Sequence, residues 1–118
     1  MIPRRAALAL PLVPRPARAQ APLLRVGSKN FTEQLVLGEL WAQALEAAGI
    51  ARVERRLNLG GTLIAQGALT SGQIDLYPEY TGTGLGVVLK EDTAGTPEQV
   101  LARVREGYRD RFGLDWVA

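Results

Sequence analysis

The sequence predicts an α/β fold in which a mostly parallel sheet is flanked by helices. Short apolar runs that suit buried strands alternate with stretches whose apolar residues recur at three- and four-residue steps. Such alternation is typical of parallel sheets with helical crossovers. The segments richest in polar and aromatic side chains follow predicted strands, at the sheet edge where ligands bind in this class. The 118 residues are enough for one small domain.

The first strand and helix are predicted from an apolar run and a helical periodicity. A buried strand is expected at 23–26, and apolar residues then recur at helical spacing from 37 to 48. Asn30 or Thr32 is expected to cap the start of this helix, because both side chains can accept a backbone N–H. Gly49 is expected to end it, since glycine readily adopts the left-handed conformation.

The middle of the chain predicts two further strands on either side of a helix. A second strand is expected at 53–57, with charged residues on one face. The turn at 58–62 leads into a helix with apolar residues at 63–69. A third short strand is expected at 74–77, and Pro78 ends its hydrogen bonding because proline has no backbone N–H.

The last third predicts two helices and the start of another strand. A helix is expected at 81–89, although its glycines weaken it. The next helix starts at a capping box formed by Thr96 and Gln99 and closes at Gly113. Residues 114–117 are expected to begin a further strand.

Residues 1–19 show the three-part pattern of an export signal. Arg4 and Arg5 form a positive start, and an apolar run covers 6–13. Ala17 and Ala19 give the small-x-small pattern that precedes a cleavage position after Ala19. The apolar run is far shorter than the ~20 residues that a membrane-spanning helix needs. The alternative interpretation is a disordered tail rich in proline and arginine.

Composition excludes several classes of function. The chain has no cysteine and no histidine, so a thiol nucleophile, a disulfide, a Cys/His metal site and a histidine base are all impossible. Four of its fourteen basic residues and none of its twelve acidic residues lie in 1–19, which leaves ten against twelve and a net charge of −2. No basic excess remains to attract nucleic acid. No cofactor and no metal site is expected.

Lys29 is the first candidate binding residue. It lies just before a predicted helix N-terminus, where unpaired backbone N–H groups already favour anions. An ammonium at that place suits a carboxylate ligand. A solvated loop lysine explains the position equally well, since lysine is usually exposed.

Tyr77 and Tyr80 flank a stiff Pro-Glu turn that follows the third predicted strand. A cation without N–H donors is held by the faces of aromatic rings, and tyrosines at a strand end can supply one wall of such a cage. The hydroxyls of Thr81 and Thr83 can bind an anionic tail. From position alone, the simpler interpretation is that one tyrosine packs in the core and the other caps it.

Three other patterns carry less information. The glycines at 82–86 do not match the dinucleotide fingerprint, and no Gly-Lys-Ser/Thr follows them. The glycines before Thr62 can offer N–H groups to a ligand, although a tight turn accounts for them. The carboxylates of Glu33, Asp75 and Glu79 show no spacing that indicates acid–base catalysis.

Three segments together resemble one family. Residues 26–34 (VGSKNFTEQ), 59–62 (LGGT) and 71–83 (SGQIDLYPEYTGT) are similar to the glycine betaine/choline/carnitine substrate-binding proteins of osmoprotectant ABC transporters. The resemblance runs from about Leu24 to the end of the chain. It implies a type II periplasmic-binding-protein-like fold, in which 20–118 form the N-terminal part of the first lobe and the second lobe is absent.

The resemblance also implies a set of site residues. Lys29 and Thr83 are expected to contact the ligand carboxylate, and Tyr80 to form one ring of the aromatic cage around the trimethylammonium group. Weaker candidates for the site or its support are Tyr77, Asn30 and Gln34.

The function implied by the resemblance is extracytoplasmic binding of quaternary-ammonium compatible solutes for delivery to ABC permease subunits. Catalysis, nucleic-acid binding and stable membrane insertion after signal cleavage are not expected, and the expected location is the periplasm. Because family members are more than twice as long, the chain is expected to be a truncated copy with half a site. Two alternatives are an enzyme that uses Lys29 as a Schiff-base or electrostatic catalyst, and the sensing domain of a regulator.

Overall fold

The computed structural model describes residues 21–117, so the predicted signal peptide at 1–19 lies outside the described residues. Strands and helices alternate as predicted as far as Thr70. In chain order the elements are β1 (Leu23–Gly27), α1 (Thr32–Ala48), β2 (Arg52–Arg56), α2 (Thr62–Thr70), α3 (Thr81–Thr83), a π-helical segment (Gly84–Val88) and α4 (Pro97–Phe112). Within this part of the chain, no helix has the length and apolar character needed to span a bilayer.

The sheet is parallel, as predicted, and β1 lies at its centre. β2 pairs with β1 on one side, and Val26 forms a parallel bridge with Leu76 on the other. The backbone N–H of Gly27 donates to the carbonyl oxygen of Leu76 at 2.8 Å. The prediction of a full strand at 74–77 is wrong, because the ladder there is limited to this single bridge. Pro78 cuts the segment short by removing the next backbone donor.

The helix α1 begins at Thr32, and its N-cap residue is Phe31, without a side-chain cap. The predicted caps are therefore wrong. Asn30 lies one residue too early, and its backbone N–H is bound to the carbonyl oxygen of Gly60 at 3.0 Å. The C-terminal prediction is confirmed, since Gly49 ends the helix with φ 69°.

A close approach at Gly38 fixes α1 against the sheet. A Cβ atom at this position would lie 2.8 Å from Leu57 Cδ2 and 3.2 Å from Ser28 Cβ. Ser28 is fully buried, and its hydroxyl accepts a hydrogen bond of 2.8 Å from the backbone N–H of Asn58. The end of β1 is therefore tied both to α1 and to the turn before α2.

A hydrophobic core forms where the C-terminal part of the chain folds on itself. Its members are buried apolar or aromatic residues: Leu85, Val88, Leu89, Val100, Val104 and Tyr108. The helix expected at 81–89 changes to π-helical geometry at Gly84. The strand expected at 114–117 does not form. Trp116 packs instead against Tyr108, with ring centroids 5.2 Å apart.

The start of α4 agrees with the sequence. The hydroxyl of Thr96 accepts from the backbone N–H of Gln99 at 3.2 Å, and the Gln99 side chain accepts from the backbone N–H of Thr96 at 2.9 Å. The predicted capping box is confirmed, and Gly113 ends the helix as expected.

Substituting alanine for each of two glycines in the 81–88 region should have opposite effects on the stability of the protein. A Cβ atom at Gly84 would lie 2.6 Å from Trp116 Cζ2 and 2.9 Å from Val104 Cγ2, so Gly84→Ala should lower the free energy of unfolding by about 1–3 kcal/mol. A Cβ atom at Gly82 meets nothing within 4 Å, so Gly82→Ala should be neutral or stabilising by up to about 1 kcal/mol. Urea unfolding checks this, and equal midpoints for the two variants would contradict the packing described.

Candidate functional site

Three loops converge on the ammonium group of Lys29. The Lys29 Nζ atom lies 2.6 Å from Glu79 Oε1 and 3.2 Å from the hydroxyl oxygen of Thr62, the first residue of α2. It also lies 5.1 Å from the centroid of the Tyr80 ring. The segment after β1 and the segment after Leu76 therefore meet, as their positions after neighbouring strands predict.

The ion pair between Lys29 and Glu79 is buried. Their side chains are 4% and 5% exposed, so the interpretation of Lys29 as a solvated loop residue is wrong. Glu79 also accepts the hydroxyl of Tyr77 at 2.9 Å and the backbone N–H of Tyr80 at 2.9 Å. Because a buried charge needs both an opposite charge and hydrogen bonds, these contacts allow the pair to exist inside the protein.

Two aromatic rings lie beside this ion pair. Phe31 and Tyr80 are nearly parallel, with centroids 6.4 Å apart and an angle of 20° between the rings. Phe31 is 44% exposed, and its centroid lies 5.5 Å from Lys29 Nζ. The Tyr80 hydroxyl is hydrogen-bonded to Glu33, and this bond raises the pKa of Tyr80. The rings form an accessible aromatic surface next to a negative charge.

Tyr77 points its hydroxyl into the protein rather than outward. Burial raises the pKa of Tyr77, and the charge of Glu79 raises it further, so the hydroxyl stays protonated and able to donate. It also lies 3.4 Å from Gln66 Oε1, and the Nε2 atom of Gln66 is buried without a partner among the described residues. Turning the amide over would let Nε2 donate to Tyr77. Tyr77 therefore helps to hold the Glu79 carboxylate in place through this hydrogen bond.

Of the remaining candidates, Gln34 is hydrogen-bonded to Lys29, whereas Thr83 and Asn30 make no side-chain hydrogen bond to Lys29 or Glu79. Thr83 is half-buried in α3 and Asn30 is exposed. Gln34 is fully buried, and its side-chain oxygen accepts from the backbone N–H of Lys29 at 3.1 Å. This contact holds the backbone of Lys29 where α1 begins.

Sequence reasoning missed three residues of the site: Phe31, Thr62 and Glu79. Phe31 lies inside the segment at 26–34 that carries the resemblance, so the sequence did offer a signal for this aromatic residue. Glu79 lies 50 residues from Lys29, and nothing local to either residue indicates that they pair. The start of α2 at Thr62 was predicted, but the approach of its hydroxyl to Lys29 depends on the folded chain.

The arrangement suits holding a small charged molecule. The ammonium of Lys29 is engaged by a carboxylate, and Glu79 is engaged in turn, so neither is a free base or nucleophile. Among residues 21–117, no group of three or more His, Cys, Asp or Glu side chains is placed to hold a metal ion.

Residues 22–116 match the OpuAC family, the substrate-binding domain of ABC-type glycine betaine transport systems. The chain is 46% identical over 110 residues to the glycine betaine-binding protein YehZ of Escherichia coli K12, covering 92% of this chain and 35% of YehZ. It is 32% identical over 94 residues to the carnitine transport binding protein OpuCC of Listeria monocytogenes, covering 79% of this chain and 30% of OpuCC. It is also 38% identical to the ergothioneine transport permease/binding protein EgtU of Helicobacter pylori, covering 94% of this chain and 20% of EgtU.

Solved structures agree with this match. The apo structure of E. coli YehZ superimposes with a TM-score of 0.75 at 34% identity, covering 83% of this chain and 35% of that one. A glycine betaine/carnitine/choline ABC transporter structure gives a TM-score of 0.70 at 18% identity, over 82% of this chain and 36% of that one, and shows the fold alone. The predicted α/β binding-protein fold is confirmed. The chain spans about a third of the length of YehZ and of OpuCC.

Removing the charge of Glu79 should destabilise the protein strongly. Glu79→Gln leaves the Lys29 ammonium buried without its counter-charge, and the expected loss in free energy of unfolding is about 3–5 kcal/mol. Adding Lys29→Met to Glu79→Gln should recover part of this loss, because the unpaired charge is then gone. Urea unfolding of both single variants and the double variant measures the coupling.

The matched control for this change is an exposed ion pair. Asp115 and Arg109 form a pair whose side chains are 69% and 65% exposed, so Asp115→Asn should cost less than about 1 kcal/mol. A cost for Glu79→Gln no larger than that for Asp115→Asn would contradict the role assigned to burial.

Proposed function

We propose that this chain, which belongs to the OpuAC family of substrate-binding domains of ABC-type glycine betaine transport systems, binds quaternary-ammonium compatible solutes. Glycine betaine, choline and carnitine are the ligand class, and delivery is to the permease subunits of an ABC importer. The observation that carries the proposal is the ammonium of Lys29 lying 5.1 Å from the Tyr80 ring centroid. The names of YehZ and OpuCC support the ligand class.

The carboxylate of a zwitterionic ligand is held by Lys29 and Thr83 in this proposal. An ammonium group has three N–H donors, and Glu79 and Thr62 accept two of them. The third donor is left for a ligand oxygen, and the Thr83 hydroxyl supplies a second donor. Because Glu79 holds the ammonium in a fixed place, little side-chain entropy is lost when the carboxylate binds.

The trimethylammonium group lies against the face of Tyr80. It has no N–H donors, so attraction to aromatic rings holds it, with roughly 0.5–2 kcal/mol from each ring. Phe31 extends the aromatic surface beside Tyr80, and Glu33 adds a negative charge at the Tyr80 hydroxyl. Tyr77 acts through Glu79, and Asn30 lies at the rim.

The chain supplies about half of a binding site. We infer that 20–118 form the N-terminal part of a first lobe, and that a second lobe, with the other cage aromatics, completes the site. Residues 1–19 act as an export signal that places the protein in the periplasm. A catalytic role for Lys29 lacks support, because its ammonium is already bound to Glu79, and no observation favours a regulator's sensing domain.

Tyr80 can be tested in a completed protein. A chimera with residues 22–116 in place of the matching part of YehZ should bind glycine betaine or choline in calorimetry. Tyr80→Ala should weaken binding by about tenfold or more through loss of the ring, whereas Tyr80→Phe, which keeps the ring face, should stay close to the parent. Unchanged affinity of Tyr80→Ala would remove Tyr80 from the site.

Residues 1–118 alone should bind these ligands negligibly. One wall of a cage leaves most of the cation exposed to water, so the ring contacts are too weak to offset the cost of association. Calorimetry of the 118-residue chain with glycine betaine should therefore show no saturable heat at micromolar ligand. Saturable micromolar binding would show that the present chain contains a complete site.

A further inference from the structure

Glu33 lies at the hydroxyl end of the Tyr80 ring. It is the second residue of α1 and is exposed. Its carboxylate accepts the hydroxyl of Tyr80, which lies 47 residues further along the chain. Among residues 21–117, Glu33 forms no ion pair with a basic side chain. Its negative charge is therefore available to a ligand that lies against the ring.

The other two charges beside Tyr80 cancel each other. Lys29 Nζ lies 2.6 Å from Glu79 Oε1, and Glu79 Oε2 accepts the Tyr77 hydroxyl at 2.9 Å. The Lys29 ammonium also lies 5.1 Å from the ring centroid of Tyr80 and 5.5 Å from that of Phe31. Because a cation near an aromatic face uses part of the attraction of that face, these two rings hold a second cation less strongly than isolated rings would.

Tyr80 is held by a carboxylate at each end. Glu79 accepts its backbone N–H at 2.9 Å, and Glu33 accepts its hydroxyl. One carboxylate follows Leu76 in the chain and the other belongs to α1. The side chain of Tyr80 therefore connects these two segments, and the charge of Glu33 stays next to the ring.

We propose that Glu33 is the counter-charge that makes this site select a cationic head group over a neutral one of the same shape. Its carboxylate is placed beside the Tyr80 ring by α1 and is hydrogen-bonded to the phenol hydroxyl. The proposal rests on the proposed function, because it concerns the head group of the same quaternary-ammonium ligand. A trimethylammonium group has no N–H donor, so Glu33 attracts it through space, and this attraction strengthens as water is displaced from the site.

A role in the helix alone does not account for the contacts of Glu33. A carboxylate in the first turn of a helix is favourable, because the helix N-terminus is partly positive. Glu98 has the equivalent place, as the second residue of α4, and it makes none of the contacts to Lys29. Glu33 differs because it accepts a hydroxyl from a distant loop. Glu98 is therefore the matched control for the loss of a charge at this position of a helix.

The contact can be measured in the 118-residue chain. The hydrogen bond to Glu33 raises the pKa of Tyr80. Glu33→Gln keeps an acceptor for the hydroxyl but removes the charge, so it should lower the pKa of Tyr80 when its ring is followed by NMR. Glu98→Gln should leave that pKa unchanged. An unchanged pKa of Tyr80 in Glu33→Gln would overturn the proposal, because the charge of Glu33 would then not lie at the ring.

Selection of the cation is measured by calorimetry in the YehZ chimera that contains residues 22–116. The ligands are choline and its neutral isostere 3,3-dimethylbutan-1-ol, which differ in charge and hardly in shape. Glu33→Gln should weaken choline binding by about three- to tenfold and leave binding of the alcohol unchanged. Glu33→Asp, which keeps the charge, should retain most of the preference for choline, and Glu98→Gln should retain all of it.

The outcomes separate this proposal from the proposed function. Absence of choline binding by the folded parent chimera would overturn the proposed function and the role of Glu33 together. Choline binding of equal strength in the parent and in Glu33→Gln would overturn the role of Glu33 alone. Equal weakening of choline and of the alcohol would also overturn it, because Glu33 would then act through the shape of the site and not through its charge.

Discussion

The buried ion pair between Lys29 and Glu79 is the constraint on which the rest of the site depends. Neither charge can remain inside the protein alone, because removing an ion from water costs several kcal/mol that only a partner and hydrogen bonds offset. The pair joins the segment after β1 to the segment after Leu76, and Thr62 brings the start of α2 to the same atom. One ammonium group therefore sets the relative positions of three loops.

Tyr77 and Tyr80 have different roles around this ion pair. Tyr77 is half-buried and donates its hydroxyl to Glu79, so it belongs to the structure that supports the ion pair. Tyr80 contributes its backbone N–H to the same carboxylate, while its ring stacks beside the exposed Phe31. The Pro-Glu turn between them is short enough for one carboxylate to hold both.

The sequence predicted those elements whose signals are local. The capping box at Thr96 and the glycine that ends α1 depend on residues within a few positions of each other, and both predictions are confirmed. Two of the predictions that failed depend on distant contacts. The backbone N–H of Asn30, an expected cap of α1, is bound to the carbonyl oxygen of Gly60. The strand expected at 114–117 does not form, because Trp116 packs on Tyr108 instead.

The same distinction explains what the sequence revealed about the site. The resemblance and the order of strands placed Lys29 and Tyr80 at one edge of the sheet, and the structure brings them together. The partner of Lys29 was not predicted, because an ion pair across 50 residues leaves no pattern in one sequence. The interpretation of Lys29 as solvated failed for this reason, since position alone does not report burial.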